Sequence, residues 1–508
     1  MSVPRYLIDT NVFIGLEDHA EVAPVFSSLL QLAASHGVEI SVHEAAIDDI
    51  GRDSDLSRRE VSLSKIRKFP TIEKVLGRTK ADLEVKFGPI KRPNDLVDAT
   101  LLDALDIGVA DFLVTQDQGL HARAMRFSAT LGDRVLYVAD AVSLLRTTYE
   151  PIKIDLPSIR EVQAHMIPQE DEIFETLRGD YGGFDKWWRE KCVKPKRPCW
   201  IAMDGDEIAG LLVRKDETRS EATVKLPGEK ILKVCTFKVR PESRGIKLGE
   251  LLLKQALWHA QSNSHDIVYL TTFQKQAILI GLLEYYGFEH THSLSNGEMV
   301  YEKPLSRKRL KQVPGRSLFE TARKNYPRFC TGPDVASYVV PIKQEYHEVL
   351  FPELVDRRQL ALFDDNSARR PGNTIRKVYL CRAQAKLAEP GALLFFYKGK
   401  SSSQPSQVIT TVGIFEEVTL ARSTEELRRM AGGRSVYSDA QLIKMQATAA
   451  NPVKVINFLL AAHFDPPISL ATLQSSNVFA AHPPQSIKKL TPDQQRRLLG
   501  EGKLGFMI

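Results

Sequence analysis

The sequence predicts a multidomain α/β protein: a parallel-sheet domain, then a mixed α/β domain, then a small β-barrel with flanking helices. Three observations carry that prediction. Short apolar runs in the first 117 residues end on acids, as buried parallel strands do where open sheets place their sites. An apolar strand at 231–239 runs directly into a glycine-bearing helix start. Beyond about residue 330, period-two patterns are broken by Pro-Gly and Lys-Gly turns.

Length and composition bound the classes. A chain of 508 residues holds two to four domains, and 43% hydrophobic with 26% charged residues is ordinary for a water-soluble protein. No apolar stretch approaches the roughly 20 residues of a membrane helix, and the start M-S-V-P-R-Y has no secretory pattern. Cys192, Cys199, Cys235, Cys330 and Cys381 are odd in number and scattered, which fits small buried residues in a reducing, cytoplasmic setting.

Charge divides the chain. Residues 1–150 carry a net −6, residues 151–305 a net −1 and residues 306–508 a net +13. Boundaries follow these shifts: a first domain at 1–150, a second at 151–305, a basic linker at 306–329 bearing R-K-R-L-K, and a third domain at 330–508. The basic surplus suits a phosphate-rich partner, with a plain solvated surface as the alternative. S-S-S-Q-P-S-Q at 401–407 reads as a flexible hairpin tip.

Four carboxylates dominate the first domain: Asp9 in Y-L-I-D-T-N-V-F, Glu44 in S-V-H-E-A, Asp98 in D-L-V-D-A-T-L-L and Asp117 in L-V-T-Q-D. A lone Asp of this kind is more often a helix cap or a solvated loop acid. Four converging acids would repel one another unless a divalent cation neutralised them, and oxygen-ligated Mg²⁺ is suited to activating water against a phosphodiester. Thr10, Asn11 and Thr115 supply short polar groups to orient them. In that order of motifs, the stretch from about Pro4 to Arg146 resembles a PIN domain. The resemblance implies a Mg²⁺- or Mn²⁺-dependent ribonuclease with Asp9, Glu44, Asp98 and Asp117 as metal-holding catalytic residues. Asp95 competes for the third place, and the spacing to T-Q-D favours Asp98.

In the second domain, C-W-I-A-M, D-G-D-E and I-A-G-L-L-V-R read as strand, turn and strand from Cys199. The strand Ile231 to Val239 leads into R-P-E-S-R-G-I-K-L-G-E-L-L-L, a helix start whose N–H groups and dipole suit a pyrophosphate. With L-E-Y-Y-G-F at 283–288, this order resembles the GNAT fold of acetyl-CoA-dependent N-acetyltransferases. The resemblance implies that Val239 and the backbone from Arg244 through Gly245, Ile246, Lys247 and Leu248 to Gly249 hold the cofactor. Lys247 stands where the family usually has Gly, and Leu283 where it often has a general-acid Tyr. Tyr285 and Tyr286 lie off that position and read as core. Glu242 offers a base at the strand end, although a helix-start acid is the commoner explanation.

The third domain reads as strands at 375–381, 390–397, 408–418 and 453–458. P-G-A-L-L-F-F-Y followed by T-V-G-I-F-E-E-V resembles PUA-like domains of the ASCH and EVE kind, which implies RNA binding. Arg376, Lys377, Tyr397, Lys398 and Lys400 give the basic and aromatic mixture that stacking on bases needs, whereas Phe395 and Phe396 read as core. The combined expectation is a bacterial ribonuclease joined to an N-acetyltransferase acting on tRNA, mRNA, rRNA or another translation component. It would be toxin-like, with a restraining antitoxin as partner. The alternative is an acetyltransferase, or an acetyl-CoA-gated RNA-binding regulator, whose first domain is not catalytic.

Overall fold

Three β-sheets follow one another along the chain in a computed structural model that describes residues 4–17, 24–51, 56–73, 78–150, 159–204, 207–240, 247–305, 315–354, 374–387, 389–400, 405–480, 482–502 and 504. The first sheet is parallel throughout. Its strands β1 (Arg5–Ile8), β2 (Glu39–His43), β3 (Thr71–Ile72), β4 (Phe112–Val114) and β5 (Val135–Leu136) lie in the order β3-β2-β1-β4-β5. Alternation sends Tyr6, Ile8, Phe112 and Val114 into one apolar cluster and Leu7 and Leu113 into another, so both faces are covered. Helices α1 (Thr10–Glu17), α2 (Glu44–Ile50), α3 (Pro93–Asp106) and α4 (Gln118–Phe127) belong to this domain. The strand order reverses between β1 and β4, and Asp9 and Thr115 leave their carboxyl ends at that switch point.

The second sheet holds β6 (Ile159–Gln163), β7 (Pro198–Asp204), β8 (Glu207–Thr218), β9 (Lys230–Val239), β10 (Ile267–Thr272), β11 (Glu289–Ser293) and β12 (Met299–Pro304), in the order β11-β12-β10-β9-β8-β7-β6. Within this sheet only β9 and β10 run parallel among the pairings of the described residues. Their crossover is α5 (Leu248–Ser262), and α6 (Ala277–Tyr285) follows β10.

The third sheet orders β13 (Ser337–Ile342), β14 (Arg376–Cys381), β15 (Leu393–Lys398), β16 (Val408–Ala421), β17 (Val453–Ser469) and β18 (Lys488–Lys489) as β14-β17-β16-β15-β13-β18. These pairings leave β14 and β18 at opposite edges; closure into the expected barrel is not among them. Phe395 and Phe396 are both fully buried and face opposite sides, each in its own apolar cluster. One apolar core is continuous from α5 of the second domain, through Tyr326 and Phe329, to Phe395 and Leu459 of the third. Trp258 Nε1 donates to Tyr326 Oη across that join at 2.9 Å. All five cysteines are free thiols, and no helix among the described residues is long and apolar enough to cross a membrane.

A buried ion cluster ties all three domains at the start of α5. Asp133, from the first domain, pairs with Arg376 (2.5 Å), Arg434 (2.6 Å) and Lys247 (3.3 Å). Arg434 also pairs with Glu250 at 3.1 Å, and Arg376 with Glu416 at 2.8 Å. Glu250 Oε1 further accepts the N–H groups of Ile375 and Arg376 and the Tyr286 hydroxyl. Burial pushes the Asp133 carboxyl up, but the three cations overcome it and hold it well below the usual carboxylate range. Replacing Asp133 with Ala would leave three buried cations facing each other with too little negative charge. Chemical denaturation of D133A should show a loss of about 3–5 kcal/mol in the transition that separates the domains.

Candidate functional site

The main site arises where two strands part. β9 and β10 pair only over Ile231–Val234 and Ile267–Leu270. Past that point, β9 keeps its bonds to β8 through Val239, while β10 keeps its bonds to β12 through Thr272. The β9–β8 register slips at Cys235: Val213 faces Thr236 and Arg214 faces Val234. One extra residue bends and twists β9 away from its parallel neighbour. The edge of residues 235–239 then presents backbone donors and acceptors to the gap, where a ligand with amides can pair as a further strand would. A cavity of about 1340 Å³ opens there, lined by Cys235 to Val239, Leu270 to Thr272 and the start of α5.

Of the residues expected to hold the cofactor, Val239, Lys247, Leu248 and Gly249 all border this cavity. Lys247 takes a left-handed conformation (φ 54°) as it enters α5, and its ammonium is committed to Asp133. The Leu248 side chain is core, so only its backbone is available to a ligand. A Cβ at Gly249 would come no nearer than 3.7 Å to Leu282, so this glycine keeps the helix start open rather than relieving a clash. Arg244, Gly245, Ile246 and Glu242 lie outside the described residues, as do R-K-R-L-K at 307–311 and residues 401–404.

Leu283 is fully buried and contributes no acid. Tyr286 is also core, its hydroxyl donating to Glu250 at 3.0 Å. Tyr285 borders the cavity, and burial pushes its hydroxyl well above the usual tyrosine range. Among the cavity carboxylates that escaped the sequence reading is Glu298, just before β12. It accepts from Thr271 Oγ1 at 3.2 Å, Asn296 Nδ2 at 2.8 Å and, more distantly, Tyr181 Oη at 3.5 Å. Its only sequence signal is a polar turn before a strand, which any hairpin shows.

The first domain brings Asp9, Asp98 and Asp117 into one field. Asp9 Oδ1 accepts the Thr10 N–H at 2.7 Å, and Oδ2 accepts Asn11 Nδ2 at 2.6 Å and Thr115 Oγ1 at 2.7 Å. Burial pushes Asp9 up to about 6 against those bonds, and the charges of Asp117 and Asp49 push the same way. Asp98 is driven up to about 7 by burial first, then by Asp117 and Asp9. Asp117 caps α4, its Oδ1 accepting the Leu120 N–H at 2.9 Å. Glu44 opens α2, but the acid from that helix whose charge reaches Asp9 is Asp49, near its other end. Asp95 serves its own helix start, accepting the N–H groups of Lys91 and Arg92.

Among the described residues, no group of three His, Cys, Asp or Glu side chains is placed to hold a metal ion. The expected Mg²⁺ or Mn²⁺ set of Asp9, Glu44, Asp98 and Asp117 is therefore not assembled there. Both Asp9 oxygens are engaged by donors, and burial together with neighbouring acids pushes the Asp9 and Asp98 carboxyls up. No metal-dependent step is derived from them.

The expected RNA contacts of the third domain are corrected by burial. Arg376 and Lys377 are 1% and 2% exposed, Tyr397 2% and Lys398 5%. Arg376 belongs to the ion cluster, and Lys377 donates to the Leu350 carbonyl at 2.7 Å. Of the five, Lys400 alone is exposed. Part of the basic surplus is thus spent inside the molecule.

Residues 159–288 match the model of the acetyltransferase (GNAT) family, so the chain carries a GNAT acetyltransferase domain. A putative GNAT-family acetyltransferase from Desulfovibrio desulfuricans is 15% identical, over 29% of this chain and 100% of its own, with a TM-score of 0.23. A NatC complex solved with Gag peptide and CoA contains a chain 16% identical over 29% of this one and 99% of its own, TM-score 0.21. ASCH from Zymomonas mobilis is 16% identical over 32% of this chain and 94% of its own, TM-score 0.23. No curated protein matches the chain.

The raised carboxyls have a consequence for stability. Asp9 at about 6 stands above the 3.8 of an ordinary aspartate, so the folded state holds this proton more tightly than the unfolded chain. Its share of stability is complete below about pH 4 and is lost as pH rises to 6, on the order of 3 kcal/mol. Asp98 acts in the same direction. In thermal melts with chelator present, Asp9→Asn should raise the midpoint at about pH 7.5 and shrink the gain that wild type shows on acidification to about pH 5.

Proposed function

We propose that the chain is an acetyl-CoA-dependent N-acetyltransferase whose acceptor amine belongs to RNA or another translation component. The observation that carries this reading is the parting of β9 and β10 beyond Val234 and Leu270, which leaves the edge 235–239 facing the cavity. The donor set fits the cofactor: a strand edge turned to the cavity for its amides, then an open helix start at Gly249 for its phosphates. Acetyl-CoA supplies an acyl carbon activated as a thioester. The chain's own part is to align an amine with that carbon and receive the amine's proton, and Glu298 is the cavity carboxylate we assign to the proton. Positioning supplies much of such a rate, so Leu283 in place of a tyrosine is no obstacle. The net +13 of residues 306–508 supports an RNA-bearing acceptor, and a restraining partner protein belongs to the same proposal.

Labelled acetyl groups should pass from acetyl-CoA to an RNA or protein fraction in the presence of the purified chain. Gly249→Glu puts a negative charge at the phosphate end and should raise the Kd for acetyl-CoA about 100-fold. Glu298→Gln keeps the shape and removes the base; kcat should fall about 100-fold with Kd little changed. Transfer that survives Gly249→Glu would refute the cofactor site.

A second reading, RNA cleavage by the first domain, is favoured by the mutual charge effects of Asp9, Asp98 and Asp117 at the carboxyl ends of β1 and β4. Total RNA incubated with the chain, with and without added Mn²⁺, decides it. Cutting should disappear in the double variant Asp9→Asn, Asp117→Asn, and cutting that persists removes the assignment.

A further inference from the structure

The cavity does not end with the second domain. Besides Lys247 and Gly249 its wall includes residues of the first domain: Gln118, His121 and Met125 on α4, and Tyr137 just after β5. The His121 and Tyr137 rings are stacked, with centroids 3.8 Å apart and planes at 14°. His121 Nε2 meets the Thr115 carbonyl at 3.1 Å, a contact that requires the proton on Nε2. Burial drives this imidazole down to about 4, so it is neutral at ordinary pH and its Nδ1 keeps a lone pair. The wall therefore offers a neutral, flat aromatic pair with a hydrogen-bond acceptor. Arg126, one helical turn beyond Ala122 on α4, adds an exposed cation to the same wall.

We infer that the first domain completes the cofactor site, with His121 and Tyr137 receiving the adenine base of acetyl-CoA and Arg126 its ribose phosphate. One cavity carries a feature for each chemical part of the ligand. The edge 235–239 suits the amides, the start of α5 suits the pyrophosphate, and the aromatic pair borders the same cavity. A purine offers a π-face for stacking on such a pair. An acyl donor without a nucleoside would leave this wall unused. The inference rests on the acetyl-CoA reading and adds that nucleoside recognition is supplied by a different domain.

The test compares two donors on the full chain by calorimetric titration: acetyl-CoA and acetyl-4′-phosphopantetheine, which lacks the adenosine. His121→Ala and Tyr137→Ala should each weaken acetyl-CoA about tenfold and leave the truncated donor unchanged. Tyr137→Phe, which keeps the stacked ring, should bind acetyl-CoA as wild type does. Arg126→Ala should weaken acetyl-CoA more than its 3′-dephospho form. Unchanged acetyl-CoA binding in both alanine variants overturns the inference. So does parallel loss of both donors, which marks the pair as domain packing alone. A wild type that binds both donors equally overturns the adenine site only, whereas one that binds neither overturns the acetyl-CoA reading with it.

Discussion

Asp133 is the hinge pin of this molecule. It sits in the first domain, and its two oxygens are shared among Arg376 and Arg434 of the third domain and Lys247 of the second. Buried ion pairs of this kind add little net stability, because desolvation offsets most of the attraction. What they do is penalise every other arrangement: a shift of one domain would strand several charges in the interior. Glu250 and Glu416 complete the balance, giving three anions for three cations. The cluster thereby sets where α5 begins against the first domain, and with it the distance between the start of α5 and α4.

The parted strands follow from a competition that the sequence only partly displays. β10 has two partners, and its antiparallel pairing with β12 runs for its whole length from Ile267 to Thr272. Its parallel pairing with β9 lasts four residues. β9 is likewise held by β8 along its length, and the extra residue at Cys235 adds local twist. Each strand thus follows its longer partner, and the gap opens where the shorter pairing would have had to bend both. No separate element is needed to prop the cavity open.

Sequence legibility divides along the same line as locality. Strands β1 and β4 were legible because Y-L-I and F-L-V are short apolar runs closed by polar residues. The switch point followed from the acids at their ends. β9 and α5 were legible because an apolar strand meets a glycine-bearing helix start within ten residues. Glu298 was not, since its role depends on β12 returning beside β10, a pairing between residues far apart in sequence. Nor was the fate of Arg376 and Lys398: period-two patterning shows which residues share a face, but not whether that face meets solvent or another domain. The carboxylates fall between. Their gathering was legible from the motifs, whereas the donors that occupy both oxygens of Asp9 were only half visible in Thr10, Asn11 and Thr115.

The two polar centres of the molecule share one helix. Thr115 donates to Asp9 and accepts the Asp117 N–H through its hydroxyl, while its carbonyl receives His121. Asp117 in turn caps α4, whose next turns face the cavity. The carboxylates and the cavity wall are thus separated by one residue's backbone and a single helical turn. Such short, doubly bonded links transmit displacement rather than absorb it, because no side chain in the path has rotamer freedom left to take up a shift. A change at Thr115 should therefore register at both centres, and an effect of one on the other needs no relay longer than α4 itself.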